Sequence, residues 1–242
     1  LIADIDESVK ISSDTADNFS SSMTETSAAV EQIMANINSV YLEEISRSIP
    51  VVLIDRCFMN TTLPYVCTDN YSGAYMATEH LISKGYRNIL AIQGVLTSMP
   101  SKERVRGFLQ AVDDHVGLGV THNVCGNAFS VENGYREAKR ALTGESRPDA
   151  IFAFSTTILL GAIKAIKELG LNIPEDVAII SFDNNRFLDY LDPAVTRVEQ
   201  PVNVVGKLVT DNIIKMVEKD DDIPLSSSQI LIRPTLIEGR SC

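Results

Sequence analysis

The chain has 242 residues, 45% of them hydrophobic and 22% charged, with a formal net charge of -11. That is ample apolar material for one large core or two small ones, and it argues against wholesale disorder. An acidic surface repels phosphate backbones, so this chain alone is not expected to grip nucleic acid.

The four cysteines, Cys57, Cys67, Cys125 and Cys242, form no Cys-x-x-Cys and are expected to be free thiols in a reducing compartment. His80, His115 and His122 show no metal-ligand spacing, so neither a metal nor a cofactor is expected. No stretch approaches the roughly 20 apolar residues that span a bilayer, and the N-terminus has no signal-peptide pattern. A cytoplasmic chain without a membrane partner is the expectation. It begins with Leu1 rather than Met, which suggests part of a longer reading frame.

Residues 1–46 form the first segment. Neither Gly nor Pro occurs before Pro50. Apolar or small residues recur in alternating steps of three and four, from Ile2, Ile5 and Val9 to Ile33, Ile37 and Val40. This is the seam of a long coiled-coil-like helix. It needs a partner to bury it: a second helix, or the chain's own domain.

From Pro50 the texture changes. Short apolar runs (50–54, 88–92, 150–154 and 177–182) alternate with helical patterns at 72–83, 101–112, 131–142, 157–169 and 202–218. A weak strand is expected near 120–125, a short one at 196–200 and a last one at 229–237. Strands apolar throughout are buried on both faces, and helices between them imply parallel βαβ units. Right-handed crossovers put the C-terminal ends of such strands on one edge, where ligands bind.

The run "VAIISF" (177–182) ends in Asp183, Asn184 and Asn185 at that edge. A carboxylate there can accept hydrogen bonds from vicinal hydroxyls. By spacing alone it could equally be a turn residue bonding its own backbone.

Several stretches resemble the effector-binding domain of the LacI/GalR family of transcription regulators. They are "PVVLIDR" (50–56), "DNYSGAYMATEHLISKGYRNILAIQG" (69–94), "SKERVRGFLQA" (101–111), "IKELGLNIPEDVAIISFDN" (166–184) and "DPAVTRVEQP" (192–201). The resemblance implies an α/β, periplasmic-binding-protein-like fold with two parallel-sheet subdomains, the N-terminal one incomplete. It implies boundaries at 47–94 plus 194–220 for the first subdomain and 95–193 plus 221–242 for the second. Crossings between them are expected near 94–97, 188–193 and 220–225.

The same resemblance carries site residues. Asp183 stands at the family's hydroxyl-binding acid and Arg104 at its effector-contacting arginine. Phe129 stands where an aromatic meets the ligand's apolar face, and Ser98 in the loop before Arg104. Ser155 and Thr156 replace the family's usual polar pair, which changes the hydrogen-bond geometry on offer. Without the resemblance, Arg104 could pair with Glu103 or Asp113 on a helix surface, and Phe129 could be core.

The family's helix-turn-helix head and first βα units are not seen ahead of "PVVLIDR". The implied function is an effector sensor, with a sugar as the small molecule, working as a homodimer and reaching DNA only through a head outside these residues. No enzyme motif is present. An alternative comes from "SAAVEQIMAN" (27–36), which resembles the methylation region of chemotaxis receptors: a sensor joined to a signalling helix, with Glu31 as the modifiable carboxylate.

Overall fold

The computed structural model describes residues 33, 37–58, 61–218 and 228–242. Glu31, most of the seam helix and the acidic run at 219–224 lie outside these residues. A first helix, α1, covers 37–46. Its seam residues Ile37 and Val40 are exposed, as is Ile33, so this end of the seam is not packed on the α/β body. The end of α1 meets the loop before the second strand, where Glu43 accepts a hydrogen bond from the Thr62 amide at 3.2 Å.

Nine strands and five further helices follow among the described residues. They are β1 (Leu53–Ile54), β2 (Tyr65–Thr68), α2 (Asn70–Ser83), β3 (Asn88–Ile92), α3 (Met99–Asp114) and β4 (Thr121–Cys125). Then come α4 (Val131–Leu142), β5 (Ala150–Ala153), α5 (Thr156–Glu168), β6 (Ala178–Phe182) and β7 (Thr196–Glu199). The last are α6 (Val202–Glu218), β8 (Gln229–Ile232) and β9 (Thr235–Ile237). Capping side chains start the helices where the sequence supplies them. Asp69 accepts from the Ser72 amide at 2.9 Å, and Ser98, Ser130 and Ser155 do the same for α3, α4 and α5.

The strands form two sheets. The larger has the order β4-β3-β5-β6-β7-β9, parallel except for β9. The smaller is β1-β2-β8, all parallel. Strands β5 and β6 are buried at every position, as an all-apolar run between helical layers requires. Helices α2 and α3 pack together on one face of the larger sheet and α4 with α5 on the other, as right-handed crossovers running in opposite directions demand. One core, with Phe108, Phe152, Phe154 and Phe182 fully buried, joins these layers.

The sheets divide the chain differently from the expected boundaries. Helix α2 and strand β3 belong with the larger sheet, not the smaller. Strand β7 also pairs in the larger sheet, while α6 packs on β2. The run 229–237 is two strands: β8 extends the smaller sheet and β9 the larger. The crossings therefore fall at 68–70, 199–202 and 232–235 rather than near 94–97, 188–193 and 220–225. Periodicity reveals a buried strand but not which sheet buries it. The break between β8 and β9 is Arg233–Pro234, and Pro lacks the N–H a continuous ladder needs.

Close approach of α4 and α5 depends on two glycines. A Cβ at Gly161 would sit 2.0 Å from the Val131 carbonyl oxygen, and one at Gly134 would sit 2.0 Å from that of Ile158. Both obstacles are backbone, so the helices themselves must separate. Gly161→Ala is expected to cost about 3 kcal/mol, read as a Tm lower by about 6–12 °C in a thermal melt. An unchanged Tm would mean that the two helices do not touch along this line.

Candidate functional site

Chain segments leaving the C-terminal ends of the strands meet at one cavity of about 270 Å³. Asp55 and Arg56 follow β1, Phe129 lies between β4 and α4, Ser155 and Thr157 follow β5, Asp183 follows β6 and Gln200 follows β7. Arg104 and Pro100 enter from α3. The cavity is thus walled by both sheets. It opens where the order of the larger sheet reverses, with β3 followed by β4 on one side and β5 on the other, the usual ligand position of such folds.

Arg104 is the buried cation of the site, with only 4% of the residue exposed. Its Nε donates to Asn70 Oδ1 at 2.8 Å, and its Nη1 donates to the Phe154 carbonyl. Its Nη2 lies 3.6 Å from Asp183 Oδ1, and its guanidinium carbon lies 3.6 Å from the Phe182 ring centroid. Burial lowers its pKa, and the carboxylates of Asp183 and Asp55 oppose that shift. The helix-surface alternative does not hold: Glu103 pairs instead with Arg106, at 2.5 Å. A rigid fork held by a side-chain amide, a backbone carbonyl and an aromatic face is prepositioned toward the cavity.

Asp183 is the partner acid, its side chain 32% exposed. It accepts from Gln200 Nε2, and Gln200 Oε1 in turn accepts from the Thr68 hydroxyl at 2.7 Å. Thr68 and Gln200 lie at two of the crossings between the sheets, so a continuous hydrogen-bonded path joins the cavity to the connections that must flex if the lobes move. Asp183 is therefore not a self-contained turn. Asn184 and Asn185 are structural instead. Asn184 Oδ1 accepts from Arg197 Nε at 2.6 Å, and Asn185 Oδ1 accepts from the Phe187 amide at 3.4 Å. Arg197, itself buried, is further held by Asp189 at 2.7 Å and the Val195 carbonyl at 3.1 Å.

Asp183 (φ 78°) and Asp55 (φ 64°) are the two non-glycine residues with left-handed backbone among the described residues. Both follow a strand directly and both line the cavity. Aspartate tolerates this region better than most side chains, yet the conformation still costs energy, and such outliers cluster at functional sites.

Phe129 lies against Gly94, where a Cβ would come within 2.3 Å of the ring. It both packs on the core and lines the cavity. Gly94→Ala is expected to push the ring into the cavity, measured as a loss of ligand-induced thermal stabilisation with the parent Tm changed by less than about 5 °C. Retained stabilisation would show that the ring has room to move elsewhere.

Of the remaining expected residues, Ser155 lines the cavity while also capping α5; its hydroxyl accepts from the Ile158 amide at 3.3 Å and lies 3.0 Å from Thr157 Oγ1. Ser98 and Thr156 are not among the lining residues. Ser98 turns back onto its own helix, accepting from the Ser101 amide at 3.3 Å. At the start of α5 the cavity is faced by Thr157 instead of Thr156, since adjacent helical positions point about 100° apart. Asp55, Arg56, Thr157 and Gln200 were not anticipated. Two of them, Asp55 and Gln200, directly follow strands, at the same kind of position that drew attention to Asp183, and that signal could have found them. A larger groove of about 850 Å³ lies at the opposite strand edge, between Pro174 and Arg240.

Two sheets joined by three crossings, with a polar cleft between them, define a periplasmic-binding-protein-like ligand-binding unit. Residues 78–242 match the periplasmic binding protein-like domain family, and the chain belongs to it. Within that family it corresponds to the effector-binding domain of LacI/GalR regulators. The HTH-type transcriptional repressor PurR of Klebsiella pneumoniae is 34% identical over 198 residues, which are 81% of this chain and 57% of that protein. The chain thus spans a little over half the length of the curated relatives it matches. The solved sugar-binding LacI-family regulator from Escherichia coli, complexed with phosphate, has a TM-score of 0.71 at 24% identity, covering 84% of this chain and 73% of that one. A LacI transcriptional regulator from a Rhodococcus species has a TM-score of 0.74 at 21% identity, covering 84% and 73%. These two show the shared fold.

Proposed function

We propose that the chain is the effector-sensing part of a cytoplasmic transcription regulator, and that the cavity between its sheets binds a polyhydroxylated small molecule, a sugar or sugar derivative. The observation that supports this best is the convergence of Asp183, Arg104 and Phe129 on one cavity whose other wall carries Asp55 and Arg56. Carboxylates accept from vicinal hydroxyls, the guanidinium donates to ring or carbonyl oxygens, and the phenyl ring covers an apolar face.

A ligand touching both walls binds the closed arrangement more tightly than the open one. Only that difference shifts the equilibrium; equal affinity for both would shift nothing. The role is regulatory rather than catalytic. In a full-length homodimer the shift would reorient DNA-binding heads. Among the described residues no helix is long and apolar enough to cross a membrane.

The test is a thermal-shift screen against monosaccharides, disaccharides and sugar acids, with nucleobases as flat-ring competitors. A polyol should raise the Tm of the parent, and the shift should vanish in both Asp183→Ala and Arg104→Ala. A sugar that stabilised both variants as well as the parent would place the site elsewhere. Stabilisation by nucleobases alone would replace the sugar assignment and keep the cleft.

A further inference from the structure

Beside the effector cavity lies a second, smaller one of about 70 Å³. Cys57 and Cys67 both line it, and Asp55 and Pro100 line both cavities. The local backbone explains why two thiols ten positions apart meet there. Strands β1 and β2 are parallel neighbours, with Ile54 level with Val66. Had β1 run on straight, Asp55 would stand level with Cys67 and Cys57 would lie farther along. Instead the chain folds back at Asp55: the Arg56 amide donates to the Ile54 carbonyl at 2.6 Å, across the residue with φ 64°. This tight three-residue turn brings Cys57 back to the cavity that Cys67 lines. Both cysteines face this one small cavity, and all four cysteines are unpaired in the structure.

We propose that Cys57 and Cys67 are a redox-active dithiol on the wall of the ligand cleft, oxidised by peroxide to an intramolecular disulfide. The chemistry divides between them. The Cys57 thiolate attacks one oxygen of hydrogen peroxide, forming the sulfenic acid and releasing hydroxide. The Cys67 sulfur then attacks the Cys57 sulfur; the S–S bond forms, the S–O bond breaks, and water leaves with the Cys67 proton. Two thiols are oxidised and one peroxide is reduced.

The environment favours this order. Contact with Cys67 lowers the Cys57 pKa, against burial and the Glu103 carboxylate; the same contact, with burial, raises that of Cys67. The other titratable groups around the cavity are Asp55, Asp69 and Tyr65. Cys125 is pushed up to about 12, chiefly by burial, and burial also raises Cys242, so neither competes as a thiolate. The disulfide would pin the turn carrying Asp55 and Arg56. The effect on ligand affinity rests on the cleft being the effector site; the cross-link does not.

The experiment treats the reduced chain with one equivalent of hydrogen peroxide, alkylates the remaining thiols and digests with chymotrypsin without reduction. Chymotrypsin can cut between the cysteines, at Phe58 and Tyr65. The expected product joins the Cys57 and Cys67 peptides, lighter by two hydrogens and unalkylated. It should form about ten times faster than any product at Cys125 or Cys242. The link should survive in C125S/C242S and disappear in C57S. Hydrogen exchange across residues 53–58 should slow in the oxidised protein. Sulfinic acid at Cys57 beside a free Cys67 would overturn the proposal, as would equal oxidation of Cys125. A cross-link that left exchange at 53–58 unchanged would overturn its effect on the cleft wall.

Discussion

Arg104→Leu is expected to melt about 6–12 °C below the parent chain, a loss of roughly 3 kcal/mol. Leucine fits the apolar surroundings of Phe182 but cannot donate. The Asn70 side-chain oxygen and the Phe154 carbonyl, both buried with Arg104, would then lose their donor. Each orphaned buried acceptor costs about 1–3 kcal/mol. The loss of Arg104 as a partner for Asp183 adds less, because that carboxylate is partly solvated and keeps the Gln200 amide. Arg104→Lys is the informative companion. It keeps the charge but cannot form three directed contacts at once, so its Tm should fall between the two. Urea or thermal unfolding of the three proteins checks this. A parent-like Tm for the leucine variant would show that Arg104 is a ligand contact without a structural share, contrary to its burial.

Asp183→Asn separates binding from folding. Asparagine tolerates the left-handed backbone at this position, and its side-chain oxygen can still accept from Gln200. Stability should change by less than about 1 kcal/mol. Affinity for a polyol should fall at least about ten-fold, because a charged acceptor bonds hydroxyls more strongly than an amide oxygen by about 1.4 kcal/mol or more. Isothermal titration of parent and variant with any sugar found in the screen measures the ratio. An Asp183→Asn protein that bound equally well would assign the carboxylate to the Gln200–Thr68 path alone. Together the two substitutions distinguish a residue that supports the site from one that mainly reads the ligand.

Much of the fold was legible because burial on two faces leaves a simple mark. The largely apolar runs at 88–92, 150–154 and 177–182 can be little else between helices of helical period, and β3, β5 and β6 occupy them. The caps were not read from the sequence: Ser98, Ser130 and Ser155 each precede a helix, and each accepts from the amide three residues on. Ser98 and Thr156, expected as ligand contacts, do not line the cavity. A hydroxyl at a helix start is drawn first to its own unpaired N–H groups, and the facing of the next positions depends on the helix phase.

By itself the sequence determined the layered α/β class, the polar ends of its strands and the aspartate at 183, since periodicity and an abrupt polar stop are local properties. Only the tertiary structure decided that α2, β3 and β7 join the larger sheet and β8 the smaller. It alone brought Asp55 and Gln200 to the same cavity as Asp183, and enclosed Arg104 rather than leaving it on a helix surface. Strand pairing, crossing points and burial of a charge depend on contacts between residues far apart in the chain, such as Thr68 with Gln200. Such contacts leave no period in the sequence, because their energy is set by which surfaces meet and not by which residues are neighbours.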